Sequence, residues 1–220
     1  DEKPEGKEEI KLEDVNLVIG RFQPFHNGHL KMVKKMMEKN NLPSIIAVVH
    51  PGHNKSGKSP FNKDLVSKYM ENVVKESSGK IQGFFMIDRG LLGVIYGKSK
   101  ELGYLPKAIA AGDDKIEDYK KQSDYLKKAG GDFPDDVEII QTSRSGRGTE
   151  VREKLAEEDF LGFKKLVPPG VSAFYNQLLS SQRGKDIKES IVINYLNEYG
   201  DEKTVEEVNN EIEEIKNNEQ

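Results

Sequence analysis

Short unbroken apolar runs alternate along this chain with longer stretches in which apolar residues recur every third or fourth position. Val15 to Ile19 is apolar or β-branched at nearly every position, which predicts a strand buried on both faces and punctuated by Gly20. Leu30, Met32, Val33, Met36 and Met37 then fall at helical spacing, with lysines on the opposite side. The cycle repeats. Ser44 to His50 predicts a second strand, and Phe61 to Ser77 a helix through Leu65, Val66, Tyr69, Met70, Val73 and Val74. Ile81 to Ile87 predicts a third strand and Leu91 to Leu102 its helix, stopping at Gly103. Lys107 to Ala111 predicts a fourth strand, followed by a helix with a charged face running to about Ala129. Val137 to Gln141 is the fifth, and a Gly/Ser loop leads from it into another helix.

Five strands alternating with helices predict an α/β fold: a Rossmann-like, doubly wound, parallel five-stranded sheet over residues 15–182 with a helical C-terminal extension. Helices over Phe160 to Leu166 and, after Pro168 and Pro169, Val171 to Leu179 close the domain. Residues 1–14 are almost wholly charged and read as a flexible tail or linker. Residues 183–220 read as an acidic helical tail, with one stripe through Ile187, Ile191, Tyr195 and Tyr199 and another through Val205, Val208, Ile212 and Ile215. Those stripes are expected to pack back on the domain or to bind a protein partner or a second copy.

Composition narrows the class of function. A net charge of −4 argues against nonspecific nucleic-acid binding while leaving room for a local basic pocket. The chain has no cysteine, so disulfides, thiol catalysis and thiolate metal sites are excluded and a cytoplasmic setting is expected. No apolar run approaches the ~20 residues that span a bilayer, and the N-terminus carries no signal-peptide core, so no membrane partner is expected. The chain opens on Asp1, as a processed chain or a piece of a longer one does.

The chemistry concentrates after the first strand, in GRFQPFHNGH, residues 20–29. A strand that enters a helix through a tight loop leaves the helix's first N–H groups at the strand's carboxyl end, which makes an anion site. His26 and His29, three apart at the helix start, can donate N–H bonds to the same phosphate oxygens. Gly28 permits close approach, and Gly20, Arg21, Phe22 and Gln23 complete a nucleotide-binding loop. This order of strand, Gly, Arg, Pro and H-x-G-H resembles the nucleotidylyltransferase superfamily, and the longer string is most similar to archaeal-type nicotinamide mononucleotide adenylyltransferases and their phage-encoded, cytidylyltransferase-like relatives.

A second corner follows the fifth strand. In TSRSGRGTEVREKL a Gly/Ser loop precedes a helix with Thr149 near its start and Arg152 about a turn in, so N–H groups, a hydroxyl and a guanidinium converge. Gly148, Thr149, Val151 and Arg152 match the family's S-G-T-x-I-R signature, with Arg147 standing where the family usually has Ser. The AGDDK segment after the fourth strand is similar to the AGSD-like stretch of the phage relatives, which implies that Gly112, Asp113 and Asp114 contact the nucleotide.

The resemblance implies transfer of a nucleotidyl group, AMP from ATP with Mg²⁺, to a phosphate-bearing acceptor such as nicotinamide mononucleotide, releasing pyrophosphate. His26 and His29 would stabilise the α-phosphate and the developing pyrophosphate. Arg152 and Thr149, with Arg21, would hold the β- and γ-phosphates. Family members commonly stack nicotinamide on tryptophan, which this chain lacks; Phe84, Phe85 and Tyr96 are the expected substitutes. The alternative acceptor is another phosphate, served by a cytidylyltransferase.

Two other readings compete. GHNKSGKS, from Gly52 to Ser59, formally satisfies the P-loop pattern, and FFMID ending at Asp88 imitates a Walker B strand, so a P-loop NTPase is possible on motif grounds. Pro60 follows directly, where a P-loop helix would already be running, and a milder role fits better: Lys55 and Lys58 closing over a triphosphate. A noncatalytic nucleotide-binding scaffold would not need both histidines. His50 and His53 have no carboxylate or thiol beside them, so no metal-binding residues are assigned.

Overall fold

The computed structural model describes residues 12–50, 60–130, 133–141 and 148–183. The chain runs β1 (Glu13–Gly20), α1 (Asn27–Asn40), β2 (Ser44–Val49), α2 (Lys63–Glu76), β3 (Ile81–Ile87), α3 (Leu92–Glu101), β4 (Tyr104–Ala111), α4 (Asp113–Lys128), β5 (Glu138–Gln141), α5 (Gly148–Ala156), α6 (Phe160–Leu166) and α7 (Pro169–Ser172). All paired strands are parallel, in the order β3-β2-β1-β4-β5. The order runs outward from β1 to β3 and then restarts on the far side of β1 with β4. The two halves therefore diverge between β1 and β4, and a crevice opens at the carboxyl ends of those two strands.

Both faces of the sheet are covered, which is why the strands read as continuous apolar runs. Val18, Ile46 and Val48 project to one side and pack with Val33, Val66, Tyr69, Met70 and residues of α5, α6 and α7. Their neighbours Leu17, Ile19, Ile45 and Ala47 project to the other and pack with Leu92, Ile95, Ile116 and Tyr119 of α3 and α4. Asn16 is a polar residue fully buried inside β1. It is satisfied by a reciprocal amide pair with Asn40 and by donation to the Leu42 carbonyl at 2.9 Å, which ties the end of α1 to the sheet.

β1 and β4 each begin earlier than their apolar runs, and the added residues pair with one another, Glu13 with Tyr104 and Asp14 with Leu105. The register then shifts so that Val15 faces Pro106 and Asn16 faces Ala108. Proline is tolerated there because β5 pairs only from Ala108 onward. The last predicted helix is interrupted at 173–174 and resumes over 175–183, yet Val171 and Leu178 still bury their side chains in one core. The charged segment 1–11 and the tail from 184 on lie outside the described residues.

α7 rests on α2 through Gly170. A Cβ there would stand 2.9 Å from Asn72 Cβ and 3.0 Å from the Asn72 backbone carbon, and the Gly170 amide donates to Glu76 at 2.7 Å. Gly170→Ala is expected to cost ~1–3 kcal/mol in denaturant titration, because backbone must move to make room. Gly97→Ala, mid-helix with nothing within 4 Å of the new methyl, is expected to gain about 0.5–1 kcal/mol.

Candidate active site

Between β1 and α1 the chain folds tightly back on itself. Phe22 adopts a left-handed conformation with φ of 50°, and its buried ring lies over Gly20, where a Cβ would come within 3.0 Å of it. Gly20 therefore serves packing, making room for the ring. The Tyr69 hydroxyl donates to the Phe22 carbonyl, and burial pushes that phenol's pKa well above its ordinary value, keeping it a donor. Gln23 is also buried. Its side-chain amide donates to the Phe61 carbonyl at 3.2 Å and accepts from the Phe61 N–H at 3.0 Å. Phe22 and Gln23 thus brace the loop, the Gln23 amide bonded to Phe61 and the Phe22 ring buried over Gly20.

His26 is the N-cap of α1, with φ −139° and ψ 172°. Its Nδ1 accepts from the Gly28 N–H at 3.1 Å, while His29 Nδ1 accepts from the His26 N–H at 3.1 Å. This is a capping box built from two imidazoles. It changes the donor set expected at the helix start. The Gly28 amide is taken by the His26 ring and the His29 amide turns back to the His26 carbonyl at 2.9 Å, so neither is left for an anion. In exchange, a neutral ring that accepts through Nδ1 must carry its proton on Nε2. The cap fixes both histidines as Nε2–H donors.

The rings are stacked, with centroids 3.7 Å apart and planes at 22°. Phe22 and Phe25 flank His29 at 4.8 and 5.1 Å. Burial, then the nearby Arg152 charge, lowers the pKa of His26 to about 4. Burial, then His26, holds His29 well below its ordinary value. Both rings are therefore neutral donors at pH 7.

The second corner reaches the first. Arg152 Nη1 donates to the Gln23 carbonyl at 2.8 Å, and Nη2 lies 3.4 Å from Thr149 Oγ1. A Cβ on Gly148 would stand 3.3 Å from Arg152 Nη1, 3.7 Å from the Gln23 oxygen and 4.0 Å from His26 Cδ2, so the start of α5 lies beside the histidine corner. Burial and then the Arg21 charge lower the Arg152 pKa. Two cations thus lie near each other beside the imidazole pair, at an electrostatic cost that a bound anion would relieve.

Gly112 caps α4 at the same edge, since Ile19 pairs with Ala111 and the residues that follow each strand are neighbours. The side chains of Asp113 and Asp114 lie outside what the structure describes, as do Lys55 and Lys58. Phe85 and Tyr96 are buried in the core, Tyr96 against Phe133 at 4.8 Å, and Phe84 packs partly buried in the other cluster.

The P-loop string, Gly52 to Ser59, lies outside the described residues. α2 opens only at Lys63, capped by Asn62, four residues past Ser59, and Asp88, just past the edge strand β3, is ion-paired with Lys63 of α2. An open groove beside that pair, lined by Gly93, Val94 and Lys98 among others, touches neither histidine. His50 is buried with Nε2 hydrogen-bonded to the Phe61 carbonyl at 2.8 Å, and His53 lies outside the described residues. No group of three or more His, Asp or Glu suited to a metal exists among the described residues, and no described helix is long and apolar enough to cross a membrane.

Comparison with known proteins bears on the fold. The chain is 21% identical over 180 residues to the nicotinamide-nucleotide adenylyltransferase of Picrophilus torridus, covering 79% of this chain and 96% of that one. Its fold is shared with nicotinic acid mononucleotide adenylyltransferase from Plasmodium falciparum, solved with NaAD, at a TM-score of 0.50, 17% identity and coverage of 74% and 95%. It is shared as well with a bifunctional NMN adenylyltransferase/ADP ribose pyrophosphatase from Francisella tularensis, solved with AMP and a manganese ion, at a TM-score of 0.56, 18% identity and coverage of 84% and 55%. The Cytidylyltransferase-like family model matches residues 17–193, which takes in both corners, the end of β1 and strands β2 to β5, and the chain belongs to that family.

Proposed function

We propose that the chain is an adenylyltransferase that joins AMP from ATP to the phosphate of a pyridine mononucleotide, nicotinamide mononucleotide or its acid, and releases pyrophosphate. The observation that supports this is the reciprocal His26–His29 cap beside Arg152, which commits both Nδ1 atoms to backbone and brings the imidazole pair to one corner with a guanidinium. An acceptor phosphate oxygen bonds to the α-phosphorus of ATP while the bond from that phosphorus to the bridging oxygen breaks. Pyrophosphate leaves with the electrons. The acceptor phosphate is largely ionised at pH 7, its second pKa being about 6, so the step needs no general base. The chain's contribution is position and charge: His26 and His29 donate to the α-phosphate and the bridging oxygen, and Arg152 with Arg21 and Thr149 takes the leaving pyrophosphate. Mg²⁺ would enter with the nucleotide, and beside Arg152 and the two imidazoles it would supply further neutralisation of phosphate charge. The absence of cysteine suits a reducing compartment, and the cytoplasm is the proposed location.

The test supplies each of ATP, GTP, CTP and UTP with each of a panel of phosphorylated acceptors. A dinucleotide and equimolar pyrophosphate are expected from ATP with a pyridine mononucleotide. Turnover with CTP and an alcohol phosphate instead would establish the cytidylyltransferase reading, and ATP hydrolysis without any acceptor would point back to the Gly52–Ser59 loop.

A further inference from the structure

We infer that Gln23 is a positioning residue, whose side chain acts on the reaction only by fixing the backbone carbonyl that docks Arg152. The segment between β1 and α1 has no strand or helix ladder to hold it, and it contains a left-handed residue at Phe22. Its peptide planes are set instead by bonds to α2 and to the residue just before it. Tyr69 holds the Phe22 carbonyl. The Gln23 amide makes a two-point clamp on Phe61, donating to its carbonyl at 3.2 Å and accepting from its N–H at 3.0 Å. Phe61 in turn is anchored by His50, whose Nε2 donates to the same carbonyl at 2.8 Å.

The free face of the Gln23 peptide then meets Arg152, whose Nη1 donates to the Gln23 carbonyl at 2.8 Å. Gly148 packs against that oxygen and against His26, so one carbonyl sets the spacing between the guanidinium and the imidazole pair. The side chain of Gln23 never needs to meet substrate. A planar amide with one donor and one acceptor can satisfy both backbone groups of Phe61 at once, and the aliphatic residues of similar size can satisfy neither.

The inference rests on the adenylyl-transfer reading for its kinetic arm only. Four full-length proteins are compared: wild type, Gln23→Leu, Arg152→Ala and the double variant. Inorganic pyrophosphate is titrated calorimetrically, and kcat and KM are measured with the active substrate pair. Gln23→Leu is expected to weaken pyrophosphate binding about tenfold and to lower kcat by a similar factor, with KM for the acceptor little changed. In the Arg152→Ala background the same substitution should change neither, because the group it positions is gone. Equal losses in both backgrounds, or no loss in either, would overturn the inference. If Gln23→Leu does not fold, Gln23→Glu keeps acceptance from the Phe61 N–H and loses donation to its carbonyl. It should give an intermediate loss that again vanishes with Arg152→Ala, and a loss that persists there refutes the role. Pyrophosphate binding needs no turnover, so failure to find a substrate pair would count against the proposed reaction and leave this test intact.

Discussion

His26→Ala and His29→Ala are each expected to lower kcat by ~10²-fold to 10³-fold with much smaller changes in KM, the range found when one preorganised donor to a developing charge is removed. Charge moves from the α-phosphate toward the leaving pyrophosphate during the step, so donors placed there bind the transition state better than ground-state ATP. The geometry adds a complication. His26 Nδ1 also caps α1 by accepting from Gly28, so the alanine variant loses a helix cap worth about 1 kcal/mol together with the donor. His26→Ser separates the two, because serine is a good N-cap that restores acceptance from the helix amides and cannot place a ring N–H where Nε2 was. Unfolding midpoints should recover in His26→Ser while kcat stays low. Recovery of kcat would make the ring a cap and nothing more. The double variant should fall short of the product of the single losses, since the rings stack at 3.7 Å and act on one charge distribution.

The sheet was legible because burial on both faces leaves an unambiguous trace. Val15 to Ile19 and Ser44 to Val49 are apolar but for Asn16 and Ser44 because both their faces are covered, whereas Ile81 to Ile87, at the sheet edge, is less buried and carries Gln82 and Gly83. Glu13, Asp14 and Tyr104 to Pro106 were not legible, because strand extension there depends on each segment finding the other across the sheet and not on local pattern. The histidine corner was legible as chemistry, and its three-residue spacing is also that of a capping box; nothing in the string itself says that each Nδ1 is spent on backbone. The bracing role of Gln23 was not legible, because adjacency to a motif gives no direction to a side chain. What fixes Gln23 is Phe61, 38 residues on, and what uses its carbonyl is Arg152, 129 residues on. Contacts of that range have no local signature.

The same burial that makes the histidines neutral donors makes the free protein sensitive to acid. In the unfolded chain His26 takes a proton near pH 6.5, and in the folded chain only near pH 4, so between those values the unfolded state binds more protons. Stability is then fully present above about pH 6.5, falls as pH drops through the window, and levels off for this group below about pH 4. Integrated over the shift, His26 accounts for about 3 kcal/mol, with His29 acting in the same direction. Asp88 and Asp159 do not confuse the window. Their pKa values lie below 3.8, lowered first by the Lys63 hydrogen bond and the Gly162 amide respectively, so what they contribute is lost only at still lower pH. Urea unfolding at pH 7.5, 6.5, 5.5 and 4.5 should show wild type losing ground to His26→Ser step by step below pH 6.5. A constant difference between the two proteins across that range would mean that His26 titrates normally in the fold. Added pyrophosphate should shrink the loss, because an anion beside the pair favours the imidazolium and raises the pKa of the bound state. Its affinity relative to that for His26→Ser, compared at each pH so that the anion's own protonation cancels, should therefore rise as pH falls.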